Sequence, residues 1–260
     1  MSSSNARVVS VGLACPLGLR TMPAIAAIHA DIVSFVERED VLVPGGEATA
    51  SALDSPALPL DDRTTRCAFW LNHALTEALW PVGDLSQHPL ACVVVVPDDA
   101  IGQAIDPQLL FARTGQVPTG AGTPARLHIQ RIIAGGRAAV FEALELAIAM
   151  LDGGLAPLVL VAAVDSRVDT HTLAALANAN RLESSANLDG YIPGEAAACV
   201  LLGAASAVPT AQVLATIVSL ARARERQPIS LDPGRVATAE GLADLFRQLR
   251  LGFGARVDEV

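Results

Sequence analysis

Aromatic residues make up only 3% of the 260 residues, which disfavours ring-filled pockets and leaves Ala, Val, Leu and Gly to fill thin, closely packed layers. No apolar run reaches the ~20 residues that a bilayer-spanning helix needs. The longest of them, 138–151, is broken by Glu142 and Glu145. Positive charge is scarce: 18 Lys and Arg stand against 27 Asp and Glu, and the net charge of −9 argues against a nucleic-acid binder. The four cysteines, Cys15, Cys67, Cys92 and Cys199, form no CxxC pair, so neither a zinc site nor a disulfide framework is indicated. The N-terminal residues lead into a Val-rich run and not into a secretion signal, which predicts a cytoplasmic protein. No G-x-G-x-x-G or P-loop pattern follows a strand-like run, which counts against a nucleotide-binding domain.

What is present is abundant apolar material, 52% of the chain, arranged as short β-branched runs alternating with longer helical patterns. Strand-like runs fall at 7–11, 91–96, 127–133, 157–164 and 196–202, and helical patterns at 23–35, 66–80 and 137–152. The runs at 92–96 and 158–164 are continuously apolar, as expected of strands covered on both faces. Pro- and Gly-rich stretches at 43–59, 97–107 and 115–124, together with 181–193, read as loops.

In the helix 137–152 only Arg137, Glu142, Glu145 and Asp152 are polar, a pattern that predicts burial between two layers. It follows the strand Leu127 to Ile133 through the turn Ala134-Gly135-Gly136. A strand entering a helix through glycines can hold a nucleophile or an anion, because the first-turn N–H groups are unpaired and the helix dipole favours negative charge. The same residues also suit a tight strand-to-helix connection in a core.

Three stretches are similar to the N-terminal half of β-ketoacyl synthases, condensing enzymes of the thiolase-like family. They are 8–18 (VVSVGLACPLG), 136–166, and 189–198 (DGYIPGEAAA). The resemblance implies an α/β, thiolase-like layered αβα architecture. Residues 1–210 would form the ketosynthase-like N-terminal half and 211–260 a partial start of the second half. It also implies a catalytic Cys at the start of the buried helix, where the dipole lowers the thiol pKa and backbone N–H groups stabilise an oxyanion. Arg137 stands at that position, and an arginine cannot attack a thioester. A His-Gly-Thr motif is expected too, yet none of the five histidines (His29, His73, His88, His128, His171) precedes Gly-Thr.

The expectation is therefore a degenerate ketosynthase-like protein without condensing activity and without a catalytic residue, cofactor or metal of its own. It would act as a structural, adaptor or dimer-partner subunit, in a polyketide or fatty-acid setting or beside a bacterial secretion system. Half of a thiolase-like fold exposes apolar faces, which predicts association. The family's dimer pairs the strand before the nucleophile, here Leu127 to Ile133, so a homodimer or ketosynthase-like heteropartner is expected there, with an acyl carrier protein as a further partner. Gly135, Gly136, Arg137 and Glu195 are the candidate ligand-binding residues. The alternative is an acyltransferase of the 3-oxoacyl-[acyl-carrier-protein] synthase type, or an acyl-thioester-binding enzyme. In it, Arg137 and the helix N–H groups would hold a carboxylate or phosphate of coenzyme A or pantetheine.

Other residues have plainer readings. Asp98-Asp99 suits a solvated strand-end loop better than a metal site. Glu142 and Glu145 call for a neutralising Arg131, Arg137 or Arg167. His171 reads as a helix-start residue behind an Asp cap. Cys67 is the thiol with basic neighbours, but packing explains it better than reactivity. Glu195 is expected to bond backbone groups, and 222–226 (RARER) reads as solvated surface.

Overall fold

The computed structural model describes residues 3–43, 46–52, 58–82, 90–98, 104–136, 138–226 and 238–253. In chain order the elements are β1 (Ser3–Ala14), α1 (Thr21–His29), β2 (Phe35–Val43), β3 (Gly46–Ser51), α2 (Arg63–Leu79), β4 (Leu90–Val96) and α3 (Pro107–Thr114). The two-residue strands β5 (Val117–Pro118) and β6 (Pro124–Ala125) follow, then β7 (Leu127–Ala134), α4 (Ala139–Asp152), β8 (Leu158–Ser166) and α5 (Thr170–Asn178). The chain continues with β9 (Glu195–Gly203), β10 (Ala215–Ser219) and α6 (Glu240–Phe253).

Six strands form one mixed sheet in the order β10-β1-β9-β8-β4-β7. β4 runs parallel to β7 and β8, while β9 is antiparallel to both β8 and β1. Side chains alternate across a strand, so Cys92, Val94 and Val96 face one side of β4 and meet Trp70, Leu71, Leu75 and Leu79 of α2. Val93 and Val95 face the other side and meet Ala143, Ala147, Ile148 and Leu151 of α4. All of β4 is buried. Covering both faces removes the polar half of the strand pattern, which is why β4 reads as an unbroken apolar run. The expected α/β layering is thus present, as α2, sheet and α4.

β1 lies unusually close to α2. A Cβ on Gly12 would sit 2.0 Å from the carbonyl oxygen of Ala74, and the neighbouring Ser10 Oγ donates to Ala78 O at 2.5 Å. Glu77 of the same helix accepts from Leu13 N at 3.0 Å and from Thr21 N and Oγ1 at 2.8 and 2.7 Å. It thereby fixes the turn that starts α1.

Several expectations are corrected. The pattern at 23–35 is not one helix: α1 stops at His29 and β2 begins at Phe35. The segment 43–59, read as loop, supplies β3, which pairs with β2 in an antiparallel hairpin. α3 emerges behind Asp106, whose carboxylate caps Gln108 N at 2.8 Å, with Pro107 in the first turn. α4 is not covered on both sides by the described residues: its inner face is buried, but Phe141 is 47% exposed. Among the described residues its acids are not neutralised by Arg131 or Arg167, and Arg137 lies outside the described residues. Arg222 bonds both, Nη1 to Glu142 at 3.1 Å and Nη2 to Glu145 at 2.5 Å. Among the described residues no helix is long and apolar enough to cross a membrane.

Candidate functional site

The C-terminal ends of β4, β7 and β8 meet beside the start of α4, and a cavity of ≈ 290 Å³ opens there. Gly135 and Gly136 line it, together with Val140, Ala163, Ala196 and Ala198. Gly135 N donates to Val96 O at 3.1 Å, holding the turn against β4. A Cβ on Gly135 would come within 2.7 Å of Ala139 Cβ, so this position favours glycine for the close turn into the helix. At Gly136 the nearest atom to such a Cβ is Asp98 Oδ2 at 3.8 Å, and the space is open. Among the described residues no side chain caps α4, whose N-cap is Ala138. Arg137 lies outside the described residues, as does Asp99; Asp98 is exposed.

Two charged side chains, Asp165 and Arg167, stand on the cavity wall. Arg167 Nε donates to Asp165 Oδ2 at 2.9 Å, and Arg167 N donates to Gly194 O at 3.0 Å. Burial is the largest single influence and works against the Arg167 charge, but the bond and charge of Asp165 together with those of Tyr191 outweigh it and raise the guanidinium pKa above its usual value. The other oxygen of Asp165 accepts from Arg63 Nη2 at 2.9 Å, and Arg63 Nε donates to Ser166 O at 2.6 Å. Asp165 therefore joins a half-exposed arginine at the cavity to a buried one beneath it.

Glu195 does not line this cavity. Its carboxylate is held by Arg66, with Nε to Oε2 at 2.8 Å and Nη2 to Oε1 at 2.5 Å, and it also accepts from Ser166 Oγ at 3.0 Å. Both side chains of the Arg66–Glu195 pair are 0% exposed. Arg63 and Arg66 had no place among the candidate residues. The signal for them was their position one helical turn apart beside Cys67, Trp70 and Leu71, on the face that α2 buries.

The cavity can bind but is short of chemistry: none of its described lining residues is a Cys or a His. Burial drives the Cys67 thiol far above its usual pKa despite Arg63 nearby, pushes Cys92 up to about 12, and raises Cys199 well above the usual range. Cys15 is only half-buried, in the turn it closes with Gly18. His171 is exposed in the first turn of α5, behind Asp169, which caps Thr172 N at 2.9 Å.

The sequence matches no protein-family model and no curated protein. Its three-dimensional arrangement does match solved structures. A chain of the complex between a type II PKS acyl-carrier protein and its ketosynthase superposes with a TM-score of 0.55 at 15% identity, covering 79% of this chain and 59% of that one. The protein has a ketosynthase-like fold. A β-ketoacyl synthase from Burkholderia phymatum matches with a TM-score of 0.53 at 16% identity, over 78% of this chain and 60% of that one. A chain of a ketosynthase in complex with its chain length factor, from Xenorhabdus doucetiae, matches with a TM-score of 0.52 at 15% identity, over 77% of this chain and 58% of that one. The ketosynthase-like chain thus spans less than two thirds of the length of these structures.

Proposed function

We propose that this protein is a degenerate ketosynthase-like chain that lacks condensing activity and serves in the cytoplasm as a structural, adaptor or dimer-partner subunit. The observation that carries this reading is the turn into α4. The resemblance puts the nucleophile at Arg137, residues 134–139 contain no thiol, and no described residue lining the adjoining cavity is a Cys or His. A thioester carbonyl at that helix start meets N–H donors but nothing that can attack it.

The subunit role is supported by apolar surface on the α4 side of the sheet. Phe141 of α4 is 47% and Val11 of β1 38% exposed, and Ala198 of β9 is exposed. β7 is an edge strand, with one side unpaired among the described residues. The partner is a ketosynthase-like chain, or a second copy, added at Leu127 to Ile133, with an acyl carrier protein as a transient associate. Matching folds occur in ketosynthases solved with a chain length factor and with an acyl-carrier protein, which supports that class of partner. A polyketide or fatty-acid setting and a secretion-system setting both accommodate it.

Incubation with acyl-CoA and acyl carrier protein thioesters, followed by intact mass, tests the claim. No adduct is expected; a stable acyl adduct on the native chain overturns it.

The cavity beside Gly135 and Gly136, with Arg167 on its wall, favours a second reading: an acyltransferase or acyl-thioester-binding enzyme in which Arg137 and the helix N–H groups grip an anionic group. Calorimetry with acyl-CoA separates the two, since this reading requires Arg137→Ala to weaken binding.

A further inference from the structure

A second cavity, of ≈ 530 Å³, lies away from the first, in the groove between α2 and α3. Its size falls in the range of small-molecule sites. Thr65, Phe69, Asn72 and His73 share one face of α2 and form its floor, and Arg113 closes it from the last turn of α3. Nothing in the proposed subunit role uses these residues.

The groove carries unspent hydrogen-bonding capacity. Arg113 uses Nη1 on Asp62 and on Thr65 Oγ1, while its Nη2 and Nε have no partner among the described residues. Asn72 spends its amide nitrogen on Thr114 O at 2.5 Å, leaving Oδ1 as an acceptor. His73 has no hydrogen-bond partner among the described residues, and its ring meets the Phe69 ring edge-on with centroids 4.6 Å apart. Burial first, and the nearby Arg20 second, hold the imidazole pKa below its usual value, so the ring is neutral at neutral pH and offers one donor and one acceptor. Asp62, the acid partner of Arg113, also accepts from Thr65 N at 2.9 Å, where the start of α2 offsets its charge.

We propose that this groove binds a small planar carboxylate. The free N–H groups of Arg113 take the carboxylate, the Phe69 and His73 rings take the flat body, and Asn72 Oδ1 accepts from a ligand donor. An anion without a flat body satisfies only the first contact.

The test is a titration of the full chain with benzoate and, separately, with inorganic phosphate, followed by NMR of the His73 ring protons. Benzoate is expected to shift them saturably, and phosphate to do so far more weakly. Arg113→Gln should weaken benzoate binding at least about tenfold, the usual size of a lost charge-assisted bond. Arg113→Lys, which keeps the charge without the planar fork, should weaken it less. Phe69→Leu should weaken it several-fold while keeping a similar side-chain volume. Absence of a saturable benzoate shift overturns the proposal. So does equal binding of phosphate, or unchanged affinity in a folded Arg113→Gln variant.

Discussion

Arg66 and Glu195, 129 residues apart in sequence, form a doubly hydrogen-bonded pair with no solvent exposure, at 2.8 and 2.5 Å. The pair ties the first turn of α2 to the start of β9, beneath the Asp165–Arg167 pair at the cavity. Desolvating two charges costs several kcal/mol, and their mutual attraction offsets that cost only while both are present.

Removing one member should therefore be far more damaging than removing both. Arg66→Met or Glu195→Leu alone is expected to cost about 3–5 kcal/mol in urea unfolding. The double variant should recover a substantial part of that loss. Additive single and double effects would show that the two groups are not coupled.

Gly12 faces α2 too closely for any side chain. With its Cβ placed 2.0 Å from a backbone oxygen, Gly12→Ala must displace the helix or the strand. A loss of about 3 kcal/mol, the upper end for overpacking, is expected in denaturant unfolding. Gly136→Ala, where a Cβ finds open space, should change stability by well under half of that.

The thiols should differ in reactivity by burial. Cys67, Cys92 and Cys199 are buried and Cys15 is half-buried, so alkylation of the native protein should label Cys15 first. Peptide mapping after brief exposure to iodoacetamide checks this order, and rapid native labelling of Cys67 would contradict it.

Asp40 gives a pH signature. Its bond from Arg38 lowers the carboxyl pKa from the ordinary 3.8 to about 2. Because the folded-state value lies below the unfolded one, the stabilisation is full above pH ~4 and is lost as pH falls through about 2. The side chain is 40% exposed, so solvent screening keeps the effect below about 1 kcal/mol. Asp40→Asn should be less stable than the parent at pH 5, and the difference should vanish toward pH 2 in parallel urea titrations.

The sequence by itself determined the layered core. The run Cys92–Val93–Val94–Val95–Val96 announces a strand covered on both faces, and Ala134-Gly135-Gly136 announces the turn into α4. Local chemistry was also legible where one residue suffices, as with the Asp169 cap of α5. The hairpin of β2 and β3 was not legible, because β2 carries Glu37, Arg38, Glu39 and Asp40 and lacks a strand period. Arg38 is nevertheless buried, since Val168 O and Thr170 Oγ1, more than a hundred residues away, complete its bonds.

Only the tertiary structure decided which charges meet. Arg63 finds Asp165, Arg66 finds Glu195, and Arg222 finds Glu142 and Glu145. Hydrophobic periodicity depends on neighbours within a turn or a strand and is written locally. A charge pair depends on which distant elements the sheet order brings side by side, and no local pattern encodes that.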